Sequence, residues 1–200
     1  MNSKFFNLKK EKQDRMINAA LKVFAIQGYR HGSTDDIVRE AAISKGLLFH
    51  YFGNKLGVYH FVYDYSVRYM KLEMNSTVDK KEKDLFEVMK QVECAKMHAM
   101  RGYPYMQQFL DRSIWEDSYE ALLSVEEKRK GLEELYAGVT GQIDYSVLPA
   151  AVDGEKLRKM LELTSKGLMT ERFQDASFQP EMLYREICDY LDMVRQMIYR

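Results

Sequence analysis

The stretch Ser33–Lys55, STDDIVREAAISKGLLFHYFGNK, decides the fold, because it contains the signals of two short helices joined by a tight turn. Ser33 is a helix-capping residue, and Asp36, three positions later, completes a Ser-x-x-Asp capping box. Ile37 and Ala41 then recur at helical spacing. The first of the two helices is therefore predicted to begin directly after Ser33.

The second helix follows after a turn of two residues, Ala42 and Ile43. Ser44 is placed to cap it, and its apolar and polar residues extend over about 45–52. Gly53 is a residue type that ends helices. The spacing therefore predicts a helix-turn-helix unit.

The outward face of the second helix suits insertion into the major groove of DNA. Leu48 and Phe52 are four residues apart and pack the helix inward, so the remaining side chains face outward. An exposed basic helix with its N-terminal end leading is the arrangement that reads base edges. The residues predicted to read bases are Lys45, Gly46 and Leu47, and those predicted to contact phosphates are Thr34, His50, Tyr51 and Lys55.

At these residues the chain resembles the tetracycline-repressor (TetR) family of transcriptional regulators. The family pattern of a threonine and an isoleucine, then Ser-Lys-Gly-x-Leu-Tyr-x-Tyr-Phe and a lysine, is matched here by Thr34, Ile37, Ser44, Lys45, Gly46, Leu47, Leu48, Phe49, His50, Tyr51, Phe52 and Lys55. The similarity extends back over about residues 9–28, so it covers roughly the first quarter of the chain.

Two residues depart from the family pattern. The usual turn glycine is replaced by Ala42, which costs about 1 kcal/mol if that position is left-handed. The usual tyrosine is replaced by Phe49, which keeps the ring and loses a hydroxyl group for phosphate.

The resemblance implies an all-α protein in two parts. A three-helix DNA-binding head with the helix-turn-helix is expected over residues 1–55, and a larger helical body for ligand binding and dimerisation over residues 56–200. The implied partners are a double-stranded DNA operator, a second copy of the chain and an unidentified small-molecule effector. Neither a cofactor nor a metal ion is expected.

The last two helices carry the expected dimer interface. Three prolines in the whole chain favour long helices, and Pro180 stands at the start of the last one. Apolar residues form broad stripes on both helices. The residues implied for a four-helix dimer interface are Leu157, Leu161, Leu168, Leu183, Ile187, Tyr190, Leu191, Val194 and Ile198. Packing within one chain explains the same stripes.

The middle helices are rich in methionine and aromatic residues, which suits an adaptable cavity for a small apolar ligand. For any single one of these residues an ordinary filled core is the better explanation, and for the cluster as a whole the resemblance implies a ligand cavity. The candidate ligand-binding residues are Phe86, Met89, Met97, Tyr103, Tyr105, Met106, Phe109, Trp115, Tyr119 and Leu123.

Charge is distributed unevenly along the chain. Lys and Arg balance Asp and Glu overall, but residues 1–55 carry ten basic and five acidic residues, for a formal charge of +5. A basic first quarter on an acidic remainder suits a DNA-binding head. Part of that charge lies in residues 1–12, which are expected to be a basic, partly disordered arm.

Several protein classes are excluded or disfavoured. No apolar run long enough to cross a membrane occurs, and no apolar core follows the N-terminal lysines as in a signal peptide. Cys94 and Cys188 stand far apart, which fits a reduced cytoplasmic protein. Cys94 and His98 share a helix face, but no second half of a metal site is visible.

Motifs for an enzyme are also missing, since there is no phosphate loop, nucleophile elbow, HExxH or dinucleotide fingerprint. The resemblance implies a homodimeric, ligand-responsive, cytoplasmic repressor, and the missing motifs argue against an enzyme. Two alternatives stay open: a DNA-binding protein with a filled core, and a helical enzyme whose hairpin only resembles a recognition unit.

Overall fold

The computed structural model describes residues 3–173 and 178–199, and these residues fold into helices without a strand. The helices in chain order are α1 (Ser3–Phe6), α2 (Lys10–His31), α3 (Thr34–Ala41), α4 (Lys45–Phe52), α5 (Lys55–Thr77), α6 (Leu85–Gly102), α7 (Met106–Ser113), α8 (Tyr119–Thr140), a 3-10 turn (Tyr145–Val147), α9 (Gly154–Arg172) and α10 (Pro180–Ile198). The expected all-α class is confirmed. None of the helices over the described residues has the length and apolarity needed to span a bilayer.

The described residues group into two compact units. The first contains the chain up to Tyr69 together with Gly102–Leu132, and the second contains Met70–Arg101 together with the residues from Glu133 onward. The predicted boundary after Lys55 separates a DNA-binding part from the rest of the chain, which is a different division from these two compact units. That boundary stays a prediction.

The first unit is built around aromatic rings on three helices. Phe24 on α2, Tyr59 on α5 and Phe109 on α7 are fully buried, with ring centroids 5.1 Å apart for Phe24–Tyr59 and 5.4 Å apart for Tyr59–Phe109. The alternation of aromatic residues at the start of α5 resembles a strand in the sequence. The structure is nevertheless one continuous helix from Lys55 to Thr77.

Gly28 interrupts the first long helix, as expected of a glycine at the end of its apolar pattern. Gly28 has φ 72° and ψ 178°, so regular helix is interrupted there, but the chain resumes a helical turn that continues to His31. A side chain at Gly28 would have Cβ about 3.1 Å from the Arg112 guanidinium group and a strained backbone. Glycine is therefore required at this kink.

The expectation of a disordered N-terminal arm is wrong for the residues that the structure describes; Met1 and Asn2 lie outside them. Phe5 is completely buried, and its ring centroid lies 4.9 Å from that of Phe61 and 5.3 Å from that of Phe52. The buried Gln13 amide donates to the carbonyl groups of Phe6 at 3.1 Å and Leu8 at 2.7 Å. Burial of the Phe5 ring and the hydrogen bonds to these two carbonyl groups stabilise an ordered segment. This stabilisation exceeds the tendency of the nearby lysines to keep the segment solvated and disordered.

The core of the second unit joins α6, α9 and α10. Its buried members are Leu85, Phe86, Val88, Met89, Met100, Ile143, Leu148, Leu157, Leu161, Met169, Leu183, Ile187 and Leu191. On α10 the buried residues recur every four positions, which forms the stripe that faces this core. Apolar packing therefore holds the last two helices together within one chain.

Phe5→Ala should lower the free energy of unfolding by about 3–5 kcal/mol, because it empties a fully enclosed ring site. Urea denaturation followed by circular dichroism measures the change. Phe6→Ala is the matched control, since the Phe6 ring is 39% exposed and loses much less burial. Equal losses for the two variants would contradict the anchoring role of Phe5.

Candidate nucleic-acid interface

The helix-turn-helix is held by side-chain caps at the start of both helices. The Ser33 hydroxyl accepts a hydrogen bond from the Asp35 N–H at 3.0 Å, which confirms the predicted cap of α3. Asp36 does not serve as the partner assigned by the capping box; its carboxylate accepts from Arg39 and, at 3.5 Å, from the Gln27 amide. The predicted serine cap is therefore present, whereas Asp36 connects α3 to the end of α2 through Gln27.

The turn between the helices is left-handed at Ala42, with φ 51° and ψ 51°. The Ile43 N–H closes the end of α3 by donating to the Val38 carbonyl group at 3.1 Å. A non-glycine residue in this conformation costs about 1 kcal/mol. Ala42 therefore adopts the strained conformation considered from the sequence, because the turn must redirect the chain into α4.

The second helix, α4, presents its N-terminal end to solvent. The Ser44 hydroxyl accepts from the Leu47 N–H at 3.2 Å, as predicted, and Leu48 is completely buried. Lys45 and Gly46 are exposed, and a Cβ atom placed on Gly46 would meet nothing within 4 Å. Leu47 is half-buried. The three predicted base-reading residues therefore lie together on one accessible turn.

Lys45 has a partner that the sequence analysis did not identify. Its Nζ atom lies 2.9 Å from the Asp35 carboxylate on α3 and 6.0 Å from the centre of the Phe49 ring. Both charged side chains are largely exposed to solvent. The pair joins residues ten positions apart, so no helical spacing pattern points to it.

The predicted phosphate contacts are held in different ways. Lys55 donates to the Arg30 carbonyl group at 3.2 Å and lies 4.5 Å above the Tyr29 ring. The Tyr51 ring is half-buried, and its centroid lies 5.7 Å from that of Phe5. His50 is exposed and Thr34 is half-buried at the start of α3. All four stand at or beside helix ends of the recognition unit.

A second feature that the sequence analysis missed fastens the end of α2 to the acidic segment before α8. Glu116 accepts from the Tyr29 N–H at 2.7 Å, and Glu120 accepts from the Tyr29 hydroxyl. Arg30 pairs with Asp117 at 3.3 Å. Burial and the hydrogen bond to Glu120 raise the Tyr29 pKa. The partners are about ninety residues apart in sequence, so only the fold brings them together.

The candidate ligand-binding residues are placed in two units and in different environments. In the first unit Tyr103, Met106 and Phe109 are buried, Tyr105 is half-buried, and Trp115 (86%), Tyr119 (79%) and Leu123 are exposed. In the second unit Phe86, Met89 and Met97 are buried. That these residues form a ligand site stays a prediction.

Tyr103 is already engaged in a polar network within the first unit. Its hydroxyl donates to the Asp14 carboxylate at 2.7 Å, accepts from Lys10 at 3.0 Å and lies 2.5 Å from the Tyr65 hydroxyl. Burial, together with the bonds to Tyr65 and Asp14, raises the Tyr103 pKa. Tyr103 therefore links α2 with α5 through hydrogen bonds.

The predicted dimer-interface residues divide into an inner and an outer set. Leu157, Leu161, Leu183, Ile187 and Leu191 are buried within the chain itself, so they pack α9 against α10 and α6 rather than face a partner. Leu168, Val194 and Ile198 are half-buried against the same core, and Tyr190 is 40% exposed.

The exposed apolar residues of these two helices were missing from the sequence list. They are Met160, Leu163, Met182, Met193 and Met197. Methionines were assigned to the ligand-binding middle of the chain on composition, whereas on α10 they flank the buried leucine stripe.

Comparison with known proteins shows which family the helix-turn-helix segment is similar to. Residues 16–60 match the family model described as bacterial regulatory proteins, tetR family. Over 70 residues the chain is 37% identical to the uncharacterized HTH-type transcriptional regulator TtgW of Pseudomonas putida, a match that covers 35% of this chain and 51% of TtgW. The matched segment thus spans about half the length of that curated relative.

Solved structures share the fold over most of the chain. A TetR family transcriptional regulator from Chloroflexus aurantiacus has a TM-score of 0.67 at 20% identity, covering 98% of this chain and 95% of that one. The transcriptional regulator FadR from Bacillus subtilis, in complex with stearoyl-CoA, has a TM-score of 0.55 at 18% identity, covering 88% and 96% of the two chains. The likeness extends the fold assignment beyond the head to the body.

Ala42→Gly should raise the free energy of unfolding by about 1 kcal/mol, because glycine adopts the left-handed turn without steric cost. The measurement is urea denaturation of both proteins under identical conditions. Ala41→Gly is the control, since Ala41 is buried and helical, and glycine there should destabilise by about 1 kcal/mol or more. A loss of stability in Ala42→Gly would show that the turn is not strained.

Proposed function

We propose that the chain is a regulator of the TetR family and acts as a repressor: a homodimer that binds a palindromic operator and releases it when a small, largely apolar effector binds. The observation that carries this proposal is the exposed turn Lys45–Leu47 at the leading end of a doubly capped recognition helix. An operator-binding protein shares the compartment of the DNA, so the proposed location is the cytoplasm.

The side chains of this turn have distinct proposed roles. Lys45 donates to guanine O6 and N7, Gly46 lets the backbone approach the bases, and Leu47 contacts a thymine methyl group. Around them, Thr34, His50, Tyr51 and Lys55 contact phosphates and set the register, and Ser44 fixes the helix start. Phe49 supplies a ring beside Lys45 in place of a tyrosine.

The ion pair between Lys45 and Asp35 does not prevent this role. An exposed pair of this kind contributes about 0.2–1 kcal/mol, whereas a good contact of lysine with guanine is worth about 1–3 kcal/mol. The base contact therefore prevails over the ion pair when the helix enters the groove. In the free protein the pair holds the lysine chain near the end of α4.

Dimerisation is proposed to use the exposed apolar face of α9 and α10. Met160 and Leu163 on α9, and Met182, Met193 and Met197 on α10, are each about half exposed or more. Such a face on two adjacent helices is suited to burial against its own copy by twofold symmetry. The dimer would place two recognition helices about 34 Å apart, one turn of DNA.

Release by an effector requires a ligand that prefers one of two arrangements of the heads. Binding energy changes operator affinity only through a difference in affinity between those arrangements. The fold shared with a FadR that binds stearoyl-CoA supports a largely apolar effector for this chain. We propose that α5, which follows the head directly, transmits the change.

A repressor-like DNA-binding protein without a ligand cavity is the second candidate. It is favoured by the packing of Phe109, which is 1% exposed and has its ring against Tyr59 and Tyr63 at 5.4 and 5.9 Å. The two candidates differ in whether any ligand raises the melting temperature, since a ligand of the native state must stabilise it.

Lys45→Ala should weaken operator binding about 10- to 100-fold, because it removes the proposed guanine contact in each half-site. The operator is first obtained by selecting bound sequences from random DNA with the wild-type protein, and affinity is then measured by fluorescence anisotropy. Lys130→Ala on α8 removes the same charge and should leave affinity within about twofold. Unchanged binding by Lys45→Ala would overturn the assignment of the recognition helix.

Met193→Asp should convert the dimer to a monomer at micromolar concentration, because it buries an unpaired carboxylate at the proposed interface. Light scattering coupled to size-exclusion chromatography measures the mass. Leu72→Asp on α5 is the control, since Leu72 is also largely exposed and lies outside the proposed interface. A dimer that persists in Met193→Asp would place the interface elsewhere.

A further inference from the structure

Cys94 on α6 and Cys188 on α10 are 94 positions apart in sequence, and the Tyr184 side chain interacts with both. Ion pairs fix the register of α6 and α10: Lys90 Nζ lies 2.6 Å from Asp192, and Arg101 Nε lies 2.5 Å from Glu181. Lys90 and Arg101 are eleven residues apart on α6, and their partners Asp192 and Glu181 are eleven residues apart in the opposite direction on α10. The helices are antiparallel and aligned over this length.

The same register pairs the two thiols. Cys94 comes four residues after Lys90, and Cys188 comes four residues before Asp192, so each cysteine lies one helical turn from the ion pair and on its face. The Tyr184 hydroxyl is within hydrogen-bonding reach of both thiols, and burial followed by these bonds raises the Tyr184 pKa. Both cysteines are partly accessible to solvent.

Cys94 lies beside a histidine ring on its own helix. Its Sγ atom lies 3.7 Å from the His98 Nε2 atom. The Nδ1 atom of the same ring lies 3.6 Å from the Glu73 carboxylate and 3.4 Å from the Thr77 hydroxyl. An imidazole nitrogen beside a thiol can take the thiol proton as the sulfur attacks, so His98 is placed to act as a general base for Cys94.

Cys188 has a different environment. Burial raises the pKa of its thiol, while the Tyr184 hydroxyl and the nearby Lys90 act in the opposite direction. A protonated, half-buried thiol is a poor first nucleophile but can complete a reaction begun at a neighbouring sulfur. The pair is therefore asymmetric, with one thiol suited to attack and the other to resolve.

We propose that Cys94, His98 and Cys188 form a peroxide-reactive dithiol site, with Cys94 as the attacking thiol and Cys188 as the resolving thiol. The Cys94 proton passes to His98 Nε2, and the thiolate attacks one oxygen of hydrogen peroxide. The O–O bond breaks, and the departing hydroxide takes the proton from His98 and leaves as water. Cys94 is then a sulfenic acid.

The second step joins the two helices. The Cys188 sulfur attacks the Cys94 sulfur, the S–O bond breaks, and hydroxide leaves as water with the Cys188 proton. The thiols lose two electrons in total and the peroxide gains them. Facing helices pack about 8–10 Å apart, and a disulfide needs Cα atoms within about 7 Å, so α10 must approach α6 locally. We therefore expect this step to be slower than the first.

The test follows both steps by mass spectrometry of the full-length protein exposed to hydrogen peroxide. In wild type, the peptides containing Cys94 and Cys188 should become linked within one chain, with the loss of two hydrogen atoms. In Cys188→Ser, the sulfenic acid should accumulate at Cys94 and be trapped by dimedone. Cys94→Ser should leave Cys188 unmodified over the same period.

The role of His98 is tested by rate. His98→Gln should slow dimedone trapping at Cys94 at least about tenfold, because the general base is lost. His60→Gln on α5 is the matched control, since His60 is exposed, and it should react like wild type. In guanidinium chloride, where the site is unfolded, His98→Gln and wild type should react at equal rates.

Three outcomes would overturn the proposal. Trapping of Cys188 faster than Cys94 would reverse or remove the assigned roles. A disulfide formed only between chains would show that the two thiols do not meet within one chain. Equal rates for folded His98→Gln and wild type would exclude activation by the imidazole. Each result is independent of DNA binding, so it leaves the proposed repressor function untouched.

Discussion

Contact between three aromatic rings holds the recognition unit in place. Phe24 on α2, Tyr59 on α5 and Phe109 on α7 meet with centroids between 5.1 and 6.3 Å apart, and all three are buried. Each ring of this size buries a large apolar area, and edge-to-face contacts add about 0.5–1.5 kcal/mol per pair. Because α2 supplies the surface against which α3 packs, the position of the helix-turn-helix depends on these rings.

Polar contacts around this core act at the ends of the helices, where backbone groups would otherwise lack partners. Gln13 satisfies two carbonyl groups at and just after the end of α1. Ser33 and Ser44 satisfy N–H groups of α3 and α4, and Glu116 satisfies the N–H that follows the Gly28 kink. The Lys22 amine donates to the Glu40 carboxylate at 2.6 Å and so links α2 to α3. The recognition unit is thus fixed on several sides while its leading turn stays open to solvent.

The second unit separates two kinds of apolar residue on the same helix. On α10 the buried leucines and isoleucine join the chain's own core, whereas methionines flank them in solvent. Flexible, polarizable methionine suits a surface that is covered only part of the time. A different side of α10 carries Cys188 and Asp192 toward α6, so the proposed thiol chemistry and the proposed dimer contacts use different faces of one helix.

The amino-acid sequence alone determined the helix-turn-helix, because its signals act over a few residues: Ser33 and Ser44 as caps, Ala42 and Ile43 as the turn, and Leu48 as the inward anchor. It also determined the all-α class. Only the tertiary structure decided that Phe5 is buried, that Asp35 holds Lys45, that Tyr29 meets Glu120, and that Tyr184 reaches both Cys94 and Cys188. Such pairs depend on how whole helices pack, and a periodic pattern within one helix specifies its apolar face without identifying the residue on the helix that covers it.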